Sequence, residues 1–195
     1  MAVVLPFTAA SLQPAIQSYP AMLIKLKAGE SIDMRRLRDA YSRDPSYTGR
    51  FGIDTRVASL ALEKGHNDKV LQMVDAALRK SFVDIDAHFL AAAAHDAEGR
   101  NDQAALERGI ASALLDAIFA TGDGNSARTA YRILSIHEEY VVASVLDLKV
   151  DSQRLNTEGG YYDVMKVIDP KTGESREIWF DISAFFGRKM MASRQ

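Results

Sequence analysis

Four residues recur at a distance that restricts the fold more than any other feature of the chain. Gly65-His66-Asn67-Asp68 and Gly99-Arg100-Asn101-Asp102 agree at three of four positions and begin 34 residues apart. Each copy stands between a helix rich in Ala and Leu and a second helix. A fixed period in this range is the signature of stacked helical hairpins. A hairpin of this kind buries its apolar face only against neighbours, so two copies require further packing partners in the same chain.

The punctuation agrees with that reading. Asp54 caps a helix through Val57, Leu60, Ala61 and Leu62 that ends at Gly65, and Asn67 caps the next, with Val70, Leu71, Val74 and Leu78 on one face. Asp84 or Asp86 caps a third, whose Ala91–Ala94 run admits a close neighbour. Asn101 starts a fourth that continues to Ile118. Upstream, residues 1–11 read as a loose lead-in. Helical spacing from Leu12 to Lys27 is interrupted by Pro20, and a short helix capped by Ser31 or Asp33 carries Met34, Leu37 and Tyr41. These helices at 12–42 are candidates for a third pair.

Aligned on the two glycines, Ala58 and Ala92 fall where tetratricopeptide repeats carry a small residue in the first helix, Ala104 falls on the small position of the second helix, and Ala77 and Ala111 on its later alanine. The chain resembles that repeat family in its helical part. It departs from it at Phe82, in place of the closing proline, and at Arg108, where a large apolar residue is usual.

After Gly122 the pattern changes. Tyr131–Ile136 reads as a strand, Glu138–Leu148 as a short helix, and Arg154–Asn156 as a strand edge. Tyr161–Ile168 and Glu174–Ile182 are β-prone and flank Asp169-Pro170-Lys171-Thr172-Gly173, a strong turn signal. Ile178 and Phe180 alternate with Glu177 and Trp179. Either Tyr162 and Phe180 fill the core while Tyr161 and Trp179, residue types favoured as interface anchors, face outward or against the helices, or all four aromatics lie between sheet and helical layer. The expected class is α+β, with tetratricopeptide-like hairpins over 12–122 and a cap over 123–195 closed by a small antiparallel sheet, all packed as one unit.

From about residue 29 the chain also resembles a bacterial family, domain of unknown function 4919. The likeness is carried by Leu37-Arg38-Asp39-Ala40-Tyr41, Phe82 through Phe89, Thr121-Gly122-Asp123-Gly124, Glu138-Glu139-Tyr140 and the closing hairpin through Trp179-Phe180-Asp181-Ile182. It implies a single evolutionary unit and brings no activity.

Charge and composition exclude several classes. The net charge is −2, but residues 54–119 carry an acidic surplus and residues 1–53 a basic one. The basic candidates Arg35, Arg36, Arg38 and Arg43 surround one short helix and read as a solvated face, so nucleic acid is not an expected partner. No cysteine is present, which removes disulfides and thiol chemistry. Met1–Ala10 lacks a basic lead and contains Pro6, so it does not read as a signal peptide. No apolar run has a membrane span's length. A cytoplasmic location is expected.

The candidates for chemistry are few. Asp84, Asp86, His88 and His95 share one helix, yet the two histidines are separated by roughly 10 Å along its axis, too far for one ion. They read as packing residues, and a general acid/base role for His88, His137 or Glu138 is the alternative. Asp123 and Asn125 are the only two groups of Thr121–Ser126 that fit a calcium loop, and the stretch otherwise reads as a helix end with a turn. His137, Glu138 and Glu139 open a short helix, where carboxylates suit the helix dipole. No cofactor is expected. The reading is a non-catalytic binding module, an adaptor or a toxin-neutralising immunity-type protein, that meets a basic partner protein through Asp84, Asp86, Asp96, Asp102, Glu107, Tyr161 and Trp179. A small hydrolase using His88 or His137 with a carboxylate is the alternative.

Overall fold

The computed structural model describes residues 17–186, so the lead-in and the first part of the expected 12–27 helix lie outside it. Helices α1 (Tyr19–Lys27), α2 (Met34–Arg43), α3 (Thr55–Glu63), α4 (Asn67–Lys80), α5 (Ile85–Ala97) and α6 (Asn101–Phe119) come first. Strand β1 (Tyr131–Arg132), helix α7 (Ile136–Val145) and strands β2 (Lys149–Asn156), β3 (Tyr162–Ile168) and β4 (Ser175–Asp181) follow. The α+β class holds.

The local code of the helices is visible atom by atom. Asp33, Asp54 and Asp84 each cap a helix through the side chain, accepting from the Arg35, Val57 and Ala87 amides at 2.9, 3.0 and 3.2 Å. Gly65 and Gly99 close α3 and α5 at φ +70 and +72, the left-handed conformation that spares glycine a Cβ clash. At each glycine the chain turns back on the helix. His66 N donates to Ala61 O at 2.8 Å and Arg100 N to His95 O at 2.9 Å. Residues 61 and 95, like 66 and 100, are again 34 apart. Asn67 and Asn101 are the first residues inside their helices, and His66 and Arg100 stand at the cap positions without a side-chain cap bond. The glycine turn uses the preceding residue as the hinge, which moves the expected Asn67 cap by one.

Helix α5 is central. Its small residues Ala87, Ala91, Ala92 and Ala94 are buried and let α6, α4 and α3 pack around it. Helix α2 packs on α6 rather than on α3. The N-terminal helices therefore do not extend the stack in sequence order, and the expected third pair is not a preceding repeat. One apolar cluster joins α1, α2, α6, α7 and the sheet; a second fills the space between α3, α4 and α5.

The sheet has the order β1-β4-β3-β2. β2–β3 and β3–β4 are antiparallel, while β1 runs parallel to β4 with Tyr131 opposite Phe180. The sheet is thus mixed, where an antiparallel one was expected. The expected strand at 131–136 stops at Arg132 because Ser135 is already the cap of α7. Met165, Val167, Ile178 and Phe180 face the core. Val164 lies opposite Trp179, so Tyr162, two residues away on the same face, joins Trp179 at 5.9 Å between ring centroids. Tyr161 instead packs at the core's edge, 5.1 Å from Phe186. Tyr162 thus shares the outer face with Trp179 and does not fill the core, because it has the parity of Val164 and Trp179 and not of Met165 and Ile178. Among the described residues no helix is long and apolar enough to cross a membrane.

Candidate functional site

Two of the sequence candidates at the start of α5, Asp84 and Asp86, lie beside a third, His137, at the start of α7. Asp84 is buried, its Oδ1 engaged by the Ala87 amide and its Oδ2 without a hydrogen bond of good geometry. Burial pushes its carboxyl up, against the opposing pull of the Ala87 amide, His137, the Ile53 amide and His88. Asp86 is pushed up to about 6 by burial, with His137 opposing and Asp84 adding to the rise. Its Oδ2 lies 3.2 Å from His137 Nε2, whose side chain is 41% exposed. The loop before α3 comes so near that a Cβ on Gly52 would stand 2.8 Å from the His137 ring. Beside Asp84 opens a cavity of about 740 Å³ walled by Tyr41, Phe51 and Ile53, with Arg50 and Lys80 among its lining.

His88 is not part of an accessible pair. It is fully buried, with Nδ1 2.6 Å from Glu107 Oε2 and Nε2 2.8 Å from Phe82 O. The Phe82 ring meets it edge-on at 4.9 Å. Both ring nitrogens are occupied inside the chain, and Glu107 is occupied with them. His95, two turns on, has a buried Nδ1 without a hydrogen-bond partner among the described residues.

Glu138 and Glu139 are adjacent, buried, and differently used. Glu138 takes a two-pronged ion pair from Arg38, at 2.9 Å for one prong, and also accepts the Leu134 amide at 2.8 Å. Arg38 donates further to Arg132 O at 3.3 Å. With both of its carboxylate oxygens engaged and its side chain buried, Glu138 ties α2 to α7. Glu139 Oε2 accepts from Gln153 Nε2 at 2.7 Å, and the same amide nitrogen donates to Asp163 Oδ2 at 2.7 Å. Glu139 Oε1 has no partner. Burial first, and Asp163 second, push Glu139 up to about 9. Asp163 is raised by burial as well, with Gln153 and the Val164 amide opposing.

Gln153 and Asp163 were not among the sequence candidates, and Arg38 was read only as part of a solvated basic face. A usable signal exists in α7: Val141, Val142 and Ala143 are consecutive and all buried. Carboxylates that closely precede such a run in a short helix are candidates for burial with partners, although Ile136, Tyr140 and Val145 of the same helix stay exposed.

The remaining candidates are at the surface. Asp96 forms an exposed ion pair with Arg108, and Asp102 is exposed in the first turn of α6. In Thr121–Ser126, Asp123 Oδ1 accepts the Asn125 amide at 2.9 Å, and the Asp123 and Gly124 amides both donate to Thr129 O. That is a closed turn. Among the described residues no group of three or more metal-ligating side chains is assembled. On the outer sheet face the Arg154 guanidinium lies 5.4 Å from the centroid of Trp179 and pairs with Glu177 at 3.1 Å. Trp179 and Tyr162 remain half-buried, and Leu155 on edge strand β2 is exposed.

A family model described as "Domain of unknown function (DUF4919)" matches residues 33–191. No curated protein and no solved structure matches the chain.

Proposed function

The chain belongs to the family described as domain of unknown function (DUF4919), and from that premise we propose that it is a non-catalytic protein-binding module. The observation that carries the reading is the trio Tyr162, Trp179 and Arg154 on the outer sheet face, with Arg154 stacked on the indole. Tyr, Trp and Arg are the residues most enriched at binding hot spots. They are preassembled here beside an edge strand, where little side-chain ordering remains to be lost on binding. The occupied state of Glu107, His88 and Glu138 removes most of the polar groups that catalysis would need.

The helical layer, two hairpins of tetratricopeptide type, adds exposed Asp96 and Asp102 at the turn between α5 and α6. A partner with a basic contact surface suits them. A bacterial, cytoplasmic adaptor and a toxin-neutralising immunity protein both fit this mode of action. A second reading, hydrolysis with His137 as general base, is favoured by the His137–Asp86 contact at 3.2 Å.

The deciding experiment is a capture from the native host with the wild type, Trp179→Ser and His137→Ala. A partner held by the wild type and His137→Ala, lost by Trp179→Ser at unchanged melting temperature, and re-bound when purified, supports the binding reading. Its own activity separates an immunity protein from an adaptor. Equal retention by Trp179→Ser overturns the proposed face, and loss of the biological effect in a folded His137→Ala favours the enzyme.

A further inference from the structure

Helix α2 carries Arg35, Arg38, Asp39, Ser42 and Arg43 at successive helical spacings, so they form one stripe. That stripe faces Arg132 of β1 and Thr121 at the end of α6, and the space enclosed between them is about 240 Å³. From this geometry we infer that the cavity is an anion site whose ligand is a phosphate monoester.

Four arginines line a single small cavity, with Asp39 as its one acidic lining residue. Their charges are unevenly matched. Arg38 is neutralised from behind by Glu138. Arg35 has Asp33 at 3.5 Å, on the open surface. Among the described residues Arg132 has only Asp39 as an ion-pair partner, at 4.0 Å, and both side chains are more than half exposed. Arg43 has no ion-pair partner among the described residues. The two weakly matched or unmatched cations, Arg132 and Arg43, approach the cavity from different elements.

The frame is fixed before any ligand arrives. Arg132 O accepts from Arg38 at 3.3 Å, and Arg132 N donates to Thr121 Oγ1 at 2.8 Å. Thr121 Oγ1 in turn donates to Ile118 O at 2.6 Å. The backbone that carries Arg132 is therefore held on both sides, and Arg38 is held in the wall by its buried ion pair. Only the exposed arginine heads need to turn. Guanidinium forks match phosphate oxygens in pairs, and several forks around one point suit a tetrahedral dianion better than a flat carboxylate.

Size narrows the ligand. At about 30 Å³ per water in the liquid, the space equals roughly eight waters, enough for a phosphoryl group and a few attached atoms. No aromatic ring lines it, so nothing is offered for a nucleobase to stack on, unlike single-strand nucleic-acid sites. The phosphate can come free on a small molecule or attached to a partner protein's serine. The inference stands apart from the outer sheet face, and either can fail alone.

The test is calorimetric titration at low salt of the full chain with inorganic phosphate, free O-phosphoserine, and a phosphoserine peptide beside its unphosphorylated form. Variants are Arg132→Gln, Arg43→Gln, Asp39→Asn and, as a control outside the cavity, Arg128→Gln. All alter exposed side chains, and equal melting temperatures are checked first. Saturable one-site binding is expected, weakened about tenfold by Arg132→Gln or Arg43→Gln, tightened by Asp39→Asn and unmoved by Arg128→Gln. A peptide that binds tighter than phosphoserine assigns a protein-borne phosphate; phosphoserine or inorganic phosphate binding as tightly assigns a small molecule. No saturable binding of any probe up to about 10 mM, or binding that both arginine variants leave unchanged, overturns the site.

Discussion

Arg38 on α2 and Glu138 on α7, one hundred residues apart in the chain, meet as a buried two-pronged ion pair with side chains 6% and 2% exposed. Two further bonds reinforce the pair: the Leu134 amide donates to Glu138, and the Arg132 carbonyl accepts from Arg38. Removing one member leaves the other charged, enclosed and unmatched. Arg38→Ala or Glu138→Ala is expected to cost about 3–5 kcal/mol, measured by urea unfolding. Replacing both by apolar residues of similar volume should cost less than either alone. Two single-variant losses that simply add would show that the pair is not coupled.

Glu139 makes stability depend on pH in the direction opposite to an ordinary surface carboxylate. Its folded value is pushed from 4.5 up to about 9, so the folded state keeps a proton that the unfolded chain releases. Below pH 4.5 both states are protonated and the group contributes nothing. Between 4.5 and about 9 its contribution falls by up to about 1.4 kcal/mol per pH unit as pH rises. Glu139→Gln removes that slope. Unfolding free energies of wild type and variant at pH 5, 7 and 8.5 should diverge steadily, with the variant gaining. A constant difference across the three would mean that Glu139 is charged in the folded protein.

The helical half was legible because its punctuation is chemical. An aspartate able to cap and a glycine able to turn left-handed bracket a helix whatever surrounds it, and Asp54, Gly65, Asp84 and Gly99 do so. Strand β2 was mostly missed because it is an edge strand exposed along most of its length, so Asp151, Ser152 and Arg154 gave no alternation to read. Arg38 was missed for a different reason. It sits next to Leu37 and three residues before Tyr41, on the buried side of α2, but an arginine among arginines reads as solvated until its partner is known. That partner lies in another element, and local periodicity carries no trace of it. The His137–Asp86 contact is hidden in the same way.

Gly122 is held by close approach and not by its conformation. A Cβ there would stand 2.0 Å from Thr129 O, the carbonyl that receives the Asp123 and Gly124 amides. Around Gly99 nothing lies within 4 Å, although its φ is +72. Gly99→Ala should therefore cost about 1–2 kcal/mol in backbone strain alone. Gly122→Ala must displace main chain and open the turn that leads into β1, costing on the order of 3 kcal/mol or more. Equal losses in the two variants would contradict this assignment.

His88 and His137 should separate cleanly under substitution. His88 is enclosed, and its loss strands Glu107 Oε2 and Phe82 O while opening a gap beside the Phe82 ring. His88→Ala is expected to cost about 2–4 kcal/mol and so to lower the melting temperature by roughly 5–15 °C. The His137 side chain is 41% exposed and touches one carboxylate; His137→Ala should cost under about 1 kcal/mol. It also removes the neighbour that opposes the rise at Asp86, whose carboxyl should then be pushed up further than in the wild type. Carbon-13 NMR of the aspartate carboxyls across pH 4–8 reads that shift directly. An Asp86 titration unmoved by His137→Ala would mean that the two side chains do not interact in solution, and with it the one observation favouring a hydrolytic dyad would be gone.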